Sequence, residues 1–255
     1  MFPFKYPGAI TKNKGNYFCR LTFIGLLSSV LVIQGCGDDD DVAVRPDQEY
    51  IPLLRGWYQT YFVEEITYEL GVPETLRYDL KTMVADSFPN NDGTYTYVSH
   101  RSIKAEGSDT WLPDGTFSSR LTTSEAVVTA GSTPYVLLVF PARKGIQWDG
   151  NAYNDESDPG ANPGQDIYTI EGVGERVESG PLSFDDCVKI LQEDNGEFFI
   201  YHDERREVYA RNTGLVLKET IQLHYCNDED RNCVGKRIID EGKIYRQTIS
   251  GYGRE

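Results

Sequence analysis

Cys36 is the residue of this chain whose surroundings point most directly to a chemical reaction. It follows Gly35 at the end of the apolar run Leu21–Ile33, and it precedes four consecutive aspartates, Asp38–Asp41. Signal peptidase II cleaves before a cysteine at such a junction, where a small residue fits the cleavage pocket, and the cysteine thiol then carries a diacylglycerol. We therefore predict that residues 1–35 are removed and that Cys36 is lipidated, with palmitate among its acyl groups.

Cys226 and Cys233 are the second chemical candidate, because they flank a polar turn between the strand-like runs 215–225 and 234–240. Paired strands would bring their Cα atoms within bridging distance, and exported proteins meet an oxidising environment. We predict a disulfide rather than a metal thiolate pair, since no histidine or further cysteine stands at ligand spacing. Cys187 is left over and is expected to pack as a small buried apolar residue.

The segment 149–166 is rich in oxygen donors and is the candidate cation site. Calcium takes about six to eight hard oxygen ligands, which loops with repeated carboxylate and amide side chains can supply. The spacing is not that of an EF-hand, and an acidic loop that is merely solvated is the competing interpretation. The candidate calcium ligands are Asp149, Asn151, Asn154, Asp155 and Asp158.

Catalytic side chains are present, but no pattern assembles them. The histidines are His100, His202 and His224, and no Gly-x-Ser-x-Gly elbow accompanies them. Two glycosidase carboxylates cannot be recognised among 40 acidic residues, and the sequence has no phosphate-binding glycine loop. The sequence therefore supports no catalytic residue and favours a protein that is not an enzyme.

Trp111 is the candidate residue for ligand binding. It lies within Gly107–Gly115, a segment of turn-forming residues in which a core has no need of a tryptophan. An indole ring exposed there could stack on a sugar ring, so Trp111 is a possible glycan contact. Packing in the core is the expectation for most other aromatic residues, and we expect Trp148 to hold the segment 144–166 against the sheet.

Charge excludes one class of partner. Removing residues 1–35 takes away four of the 25 Lys and Arg and none of the 40 Asp and Glu, so the net charge falls from −15 to about −19. Such a chain repels nucleic acid and anionic lipid headgroups. Divalent cations, glycans and other envelope proteins remain possible partners, together with the membrane through the lipid anchor.

The elements that must position these residues are strands. Residues 76–85 alternate between apolar and polar with a period of two, as in a strand with one buried face. The run 134–140 is continuously apolar, which predicts a strand buried on both faces at the centre of the core. Further strands are predicted at 57–70, 95–103, within 116–130, and at 167–177, 182–192, 197–202, 207–210, 215–225, 237–239 and 244–250.

We accordingly predict an all-β fold: an antiparallel curved sheet, sandwich or open barrel, preceded by a signal peptide and a disordered tether. Residues 1–35 form the signal peptide and 36–50 the lipidated acidic tether, which has too few apolar residues to order itself. Residues 51–255 form the β-rich domain. It could comprise two halves, 51–143 and 167–255, joined by an irregular loop.

Two resemblances extend this prediction. Cys36-Gly37 followed by aspartates resembles surface lipoproteins of Bacteroidota-type bacteria, in which an acidic stretch after the lipidated cysteine is associated with the outer face of the outer membrane. The motifs Trp148–Asn154 and Glu207–Ala210, with Gly214–Glu219, are similar to a group of lipoproteins from the same bacteria. This similarity implies an architecture and a location, but no cofactor and no site.

The sequence thus predicts an outer-membrane lipoprotein, facing the cell surface, with a binding or structural role. The alternative is a glycan-handling module or hydrolase displayed on the same surface. The interior of the fold discriminates between these roles. A concave pocket with converging polar groups favours binding or catalysis, whereas a filled interior favours scaffolding.

Overall fold

The computed structural model describes residues 47–154, 166–195 and 199–255. Cys36 and the predicted signal peptide lie outside the described residues, as does the predicted tether up to residue 46. Within the described part of the chain, a short 3-10 helix, Gln48–Tyr50, precedes twelve strands. These are β1 Trp57–Glu69, β2 Val72–Pro89, β3 Tyr95–Ala105, β4 Leu112–Leu121, β5 Glu125–Ala130, β6 Thr133–Val139, β7 Gln147–Asp149, β8 Ile167–Ser179, β9 Leu182–Asn195, β10 Tyr201–Ala210, β11 Gly214–Tyr225 and β12 Ile239–Arg254.

All twelve strands belong to one antiparallel sheet with the order β6-β5-β4-β3-β2-β1-β12-β11-β10-β9-β8-β7. The first and last strands pair at its middle, from Trp57 opposite Arg254 to Tyr68 opposite Gly242. The two outer strands also approach each other, because the Val136 amide of β6 donates to the Gly150 carbonyl after β7 at 2.9 Å. The sheet is therefore barrel-like and nearly closed, and the predicted all-β antiparallel fold is confirmed.

Alternation along the strands separates the inside of this sheet from its outside. On β2, Leu80 and Val84 are buried at 6% exposure each, and Leu80 and Thr82 face the interior together with Tyr78. Lys104 on β3 pairs with Asp79 on the opposite, outer face. The period-two pattern of residues 76–85 thus gave the correct strand and the correct inner face.

Three strand boundaries differ from the prediction. The segment 116–130 contains the end of β4 and all of β5, because the chain turns at Thr122. The Thr122 hydroxyl accepts hydrogen bonds from the backbone amides of Ser124 and Glu125. Conversely, β10, Tyr201–Ala210, and β12, Ile239–Arg254, are each one continuous strand in a stretch where two were predicted. Polar residues interrupt the apolar pattern there, but the backbone continues to pair with its neighbours.

Strand β6 belongs to the core as predicted, since Leu138 is a member of a core cluster, but it lies at the edge of the sheet and not among its central strands. Both of its faces are nevertheless covered. Val136 and Leu138 are 2% and 0% exposed, and Leu137 faces the interior. The Trp148 indole nitrogen donates to the Val136 carbonyl at 2.9 Å. The segment after β6 therefore covers this edge, which explains why the strand is apolar on both faces.

Residues 47–53 close one end of the barrel-like sheet. Tyr50 is fully buried, and its hydroxyl donates to Asp186 at 2.6 Å. Arg211, in the β10–β11 turn, pairs with Asp47, Glu49 and Asp186 at 3.1, 3.0 and 2.7 Å. The predicted tether boundary at residue 50 therefore falls inside a packed segment, because these side chains fasten the chain to the sheet before its first strand.

Candidate functional site: a polar cavity inside the sheet

A cavity of about 560 Å³ occupies the interior of the barrel-like sheet. That volume lies within the range of about 300 to 1,000 Å³ typical of small-molecule sites. Nearly every strand of the sheet contributes to its wall. The lining residues are Leu80, Thr82, Arg101, Gly115, Thr116, Phe117, Val128, Ala130, Gly131, Tyr135, Leu137, Tyr168, Gln192, Arg205, Glu207, Tyr209, Leu215, Lys218, Thr220 and Gln247.

The cavity continues in both directions along the strands. Toward residues 47–53 it adjoins a smaller space of about 160 Å³, with which it shares seven lining residues, among them Phe117 and Leu137. At the other end it adjoins a space of about 630 Å³ and shares five, among them Arg101 and Lys218. We call these three parts the deep end, the middle and the mouth.

Polarity changes along this path. No charged residue lines the deep end, which is walled by side chains such as Ile51, Leu53, Val84 and Leu215. The middle contains four charged residues, and the mouth contains six. Those in the middle are Arg101, Arg205, Glu207 and Lys218, and those at the mouth are Glu65, Arg77, Arg101, Asp114, Lys218 and Lys243.

Glu207 and Lys218 form the polar centre of the cavity. They face each other across the β10–β11 pair, and the Lys218 ammonium lies 2.7 Å from Oε1 of Glu207. The Tyr209 hydroxyl donates to Oε2, and Gln192 makes a further hydrogen bond to the carboxylate. Burial disfavours the charged carboxylate, but Lys218 outweighs it, with help from Tyr209 and Gln192, so the pKa of Glu207 lies below its usual range.

The tyrosines around this pair are poor acid–base catalysts near neutral pH. Burial raises the pKa of Tyr61, Tyr168 and Tyr209, and the neighbouring Glu207 carboxylate raises all three further. Their phenols therefore remain protonated, and Glu207 remains ionised. An acid or base with a pKa near the working pH is what proton transfer requires, so this arrangement is better suited to holding a ligand than to moving a proton.

Exposed apolar side chains surround the mouth. The connections β1–β2 and β11–β12 meet there, where the Gly71 amide donates to the Asp240 carbonyl at 2.7 Å, and the Tyr225 amide donates to Ile200 at 2.7 Å. Nine of the described large apolar residues, on these and the adjacent connections or on the strand segments next to them, are at least 36% exposed. This apolar rim consists of Leu70, Val72, Leu76, Trp111, Leu112, Phe199, Ile200, Val234 and Ile238.

The disulfide predicted from spacing is present between Cys226 and Cys233, with Cα atoms 5.7 Å apart. It differs in context, because Cys233 lies in a loop and β12 begins only at Ile239. The bridge therefore fixes the β11–β12 connection at the mouth instead of joining two paired strands. Cys187 is fully buried as predicted, and burial raises its pKa to about 11, so it is an unreactive thiol.

The structure uses the described calcium candidates in hydrogen bonds of their own. Asp149 Oδ1 accepts hydrogen bonds from the backbone amides of Asn151 and Asp166 at 2.9 Å each, and the side-chain amide of Asn154 donates to the Pro134 carbonyl. Among the described residues, no group of three or more His, Cys, Asp or Glu could hold a metal ion. Asp155 and Asp158 lie outside the described residues, so calcium binding stays a prediction.

Trp111 and Trp148 occupy different environments. Trp111 is 36% exposed on the β3–β4 connection, where the Lys104 ammonium lies 5.2 Å from its ring centre. It belongs to the apolar rim and does not line the cavity, and its role in binding a glycan stays a prediction. Trp148 packs edge-on against Tyr168 at 5.7 Å and, as predicted, holds its segment to the sheet.

Sequence reasoning missed the residues that shape the cavity, above all Arg101, Glu207 and Lys218. A signal was available for Glu207, since it shares the period-two register of β10 with the buried Tyr209. A charged residue on the buried face of a strand needs a partner. The identity of that partner depends on cross-strand register, which the sequence does not display.

No family model and no curated protein sequence matches the chain. Two crystal structures are similar in outline. One is a Bacteroides fragilis NCTC 9343 protein, described as exported and as having a YmcC-like fold, with 14% identity and a TM-score of 0.42 over 80% of this chain and 98% of that one. The other, from Parabacteroides distasonis ATCC 8503, is described as a lipoprotein, with 11% identity and a TM-score of 0.36 over the same shares. Similarity at this level assigns no function.

Proposed function

We propose that this chain is a cell-envelope lipoprotein whose β domain binds a small molecule in its interior. The observation that carries this proposal is the cavity with its converging polar groups, centred on Glu207 and Lys218. A purely structural sheet would fill its interior with side chains, because empty or wet space forfeits packing. The preserved space therefore favours binding over scaffolding.

The proposal includes a lipid on Cys36, anchorage in the outer membrane and display toward the exterior, all of which follow from the sequence. Within the described residues, 51–53 line the deep end of the cavity and do not line its mouth. No helix within the described residues has the length and apolar character needed to cross a bilayer.

A thermal-shift panel tests the binding role. We expect one class among calcium, glycans, amphiphiles and peptides to raise the melting temperature, because a ligand that binds only the folded state stabilises it by mass action. Leu137→Trp is the matched variant, since Leu137 faces both the middle and the deep end and the larger ring would fill them. Stabilisation of the wild type but not of Leu137→Trp is the expected result.

Three results would contradict the proposal. If no ligand class stabilises the protein, or if Leu137→Trp responds as the wild type does, the interior is not the binding site. If the protein turns over a glycan and Glu207→Gln abolishes turnover, the chain is a hydrolase.

Anchorage is tested separately in cells of the source type. Incorporation of labelled palmitate should be lost in Cys36→Ala, and protease added to intact cells should degrade the wild-type protein. Protection of the protein until the outer membrane is opened would contradict surface display.

A further inference from the structure

We infer that the ligand of this cavity is an anionic amphiphile, with its apolar tail in the deep end and its head group at Arg101 and Lys218. This inference rests on the proposed binding function and adds to it the chemical class and orientation of the ligand. Three independent features support it: the change from apolar to charged lining along the cavity, the balance of hydrogen-bond donors and acceptors in that lining, and the apolar rim around the mouth.

The change from an apolar lining in the deep end to a charged lining at the mouth favours an amphiphilic ligand. A ligand that reaches the deep end meets mainly apolar surface, some neutral polar groups and no charge, whereas its other end lies among charged residues. From Leu80 to Val84 the interior runs along four residues of β2, a length of about 13 Å at about 3.3 Å per residue. A rod-like ligand of about this overall length, apolar except for a polar head, matches both its dimensions and its gradient.

The balance of donors and acceptors favours an anionic head. Both oxygens of Glu207 already accept protein hydrogen bonds, from Lys218 and from Tyr209, and Asp114 accepts from Arg101. Lys218 and Arg101 have about three and five donors respectively. Among the contacts of the described residues, Lys218 uses one of its N–H groups and Arg101 uses its Nε–H in these bonds. The protein therefore offers unused donors at this level, and a carboxylate or phosphate supplies the acceptors that they lack.

The apolar rim suits a ligand that arrives from an apolar surface. Leu70, Val72 and Leu112 are 76%, 68% and 58% exposed around the mouth. Exposed apolar patches of this kind mark contact with lipid or with apolar partners. An amphiphile that entered here would exchange one apolar environment for another, because its tail passes the rim before it reaches the deep end.

Isothermal titration with decanoate, decanol and decylamine, each below the concentration at which it forms micelles, tests this inference. A soluble chain that begins at Gly37 is suitable, because the described residues contain their own hydrophobic core and the fastened segment from Asp47. We expect decanoate to bind at least about tenfold more tightly than the other two, the usual effect of a charge-assisted hydrogen bond.

Arg101→Gln and Lys104→Gln form a matched pair, since each removes one positive charge from β3, the first inside the sheet and the second outside it. Arg101→Gln should weaken decanoate binding about tenfold, and Lys104→Gln less than about twofold. Leu137→Trp should abolish binding of all three probes. Melting curves of the variants establish that each one is folded.

The outcomes separate the inference from the proposed function. Equal binding of decylamine and decanoate, or equal effects of Arg101→Gln and Lys104→Gln, would overturn the anionic assignment, while loss of binding in Leu137→Trp would still support interior binding. Decanoate bound equally well by Leu137→Trp would overturn the inference, since the tail would then lie elsewhere. If no probe binds, the inference is wrong, and the proposed function depends on the thermal-shift panel.

Discussion

Lys218 Nζ lies 2.7 Å from Oε1 of Glu207, in a pair of which the carboxylate is 4% exposed and the lysine 37% exposed. Because of this difference in burial, loss of Lys218 should destabilise the folded protein more than loss of Glu207. Without Lys218, Glu207 would be a buried anion with only Tyr209 and Gln192 to stabilise it. Without Glu207, the lysine could turn toward the water in the cavity.

A double-mutant cycle should therefore be asymmetric. We expect Lys218→Met to lower the free energy of unfolding by about 2–3 kcal/mol, less than the usual cost for a fully buried pair because Lys218 is partly exposed. Glu207→Gln should cost about 1 kcal/mol. The double variant should recover part of the loss, since it leaves no buried charge. Urea denaturation gives the free energy of unfolding of all four proteins. Equal losses in the two single variants would contradict the expected asymmetry.

The pH dependence of stability should also change at Glu207. Its pKa is lowered from 4.5 in the folded state, so its contribution to stability is fully present above about pH 4.5 and is lost as the pH falls through the folded pKa. Asp186 has the same sign but a lower range: the Tyr50 hydroxyl and Arg211 lower its pKa from 3.8, so its contribution is fully present above about pH 3.8 and is lost as the pH falls through the folded pKa.

Urea midpoints between neutral pH and pH 3 test this dependence. The wild type should lose stability below about pH 4.5, and Glu207→Gln should lose less over the same interval. In Lys218→Met, removing the ammonium lets burial raise the pKa of Glu207, so protonation of this carboxyl should favour the folded state, and the variant should lose less stability than the wild type as the pH falls. A parallel decline in all three proteins would show that other carboxylates account for the acid sensitivity.

The features that the sequence predicted correctly depend on residues close together in the chain. Alternation in residues 76–85 located β2, and the break between the predicted strands 207–210 and 215–225 located the β10–β11 hairpin, where Asn212 and Gly214 have φ values of 58° and 98°. Both depend on neighbours within a few residues. The all-β class and the disulfide at Cys226 also followed from such local patterns.

What the sequence did not reveal depends on residues far apart in the chain. The pairing of β1 with β12 joins segments about 185 residues apart and converts two runs of strands into one curved sheet. The cavity exists only because that sheet closes, through Val136 and the segment after β7. The sequence around Arg101 and Lys218 therefore does not distinguish them from surface cations, because only the curvature of the sheet places them in its interior.

Gly150, in the segment that closes the sheet, should not tolerate a side chain. A Cβ atom at this position would lie 2.4 Å from Cζ of the Tyr168 ring, and that ring is 6% exposed. We expect Gly150→Ala to lower the free energy of unfolding by about 1–3 kcal/mol through overpacking. Gly115→Ala is the control, since its Cβ would meet only the Arg101 side chain at 4.0 Å. Equal stability of the two variants in urea would show that Tyr168 can move aside.

Tyr50 should be as important to the fold as any strand residue, although it precedes the first strand. Its ring is fully buried against the core and under the Arg211 guanidinium at 4.5 Å, and its hydroxyl donates to Asp186. Tyr50→Ala should therefore cost about 3–5 kcal/mol, as expected for truncation of a large aromatic side chain. Tyr50→Phe keeps the ring and should cost only about 1 kcal/mol for the lost hydrogen bond. Urea denaturation distinguishes the two substitutions, and a Tyr50→Ala protein as stable as the wild type would show that residues 47–53 lie on the domain without contributing to its stability.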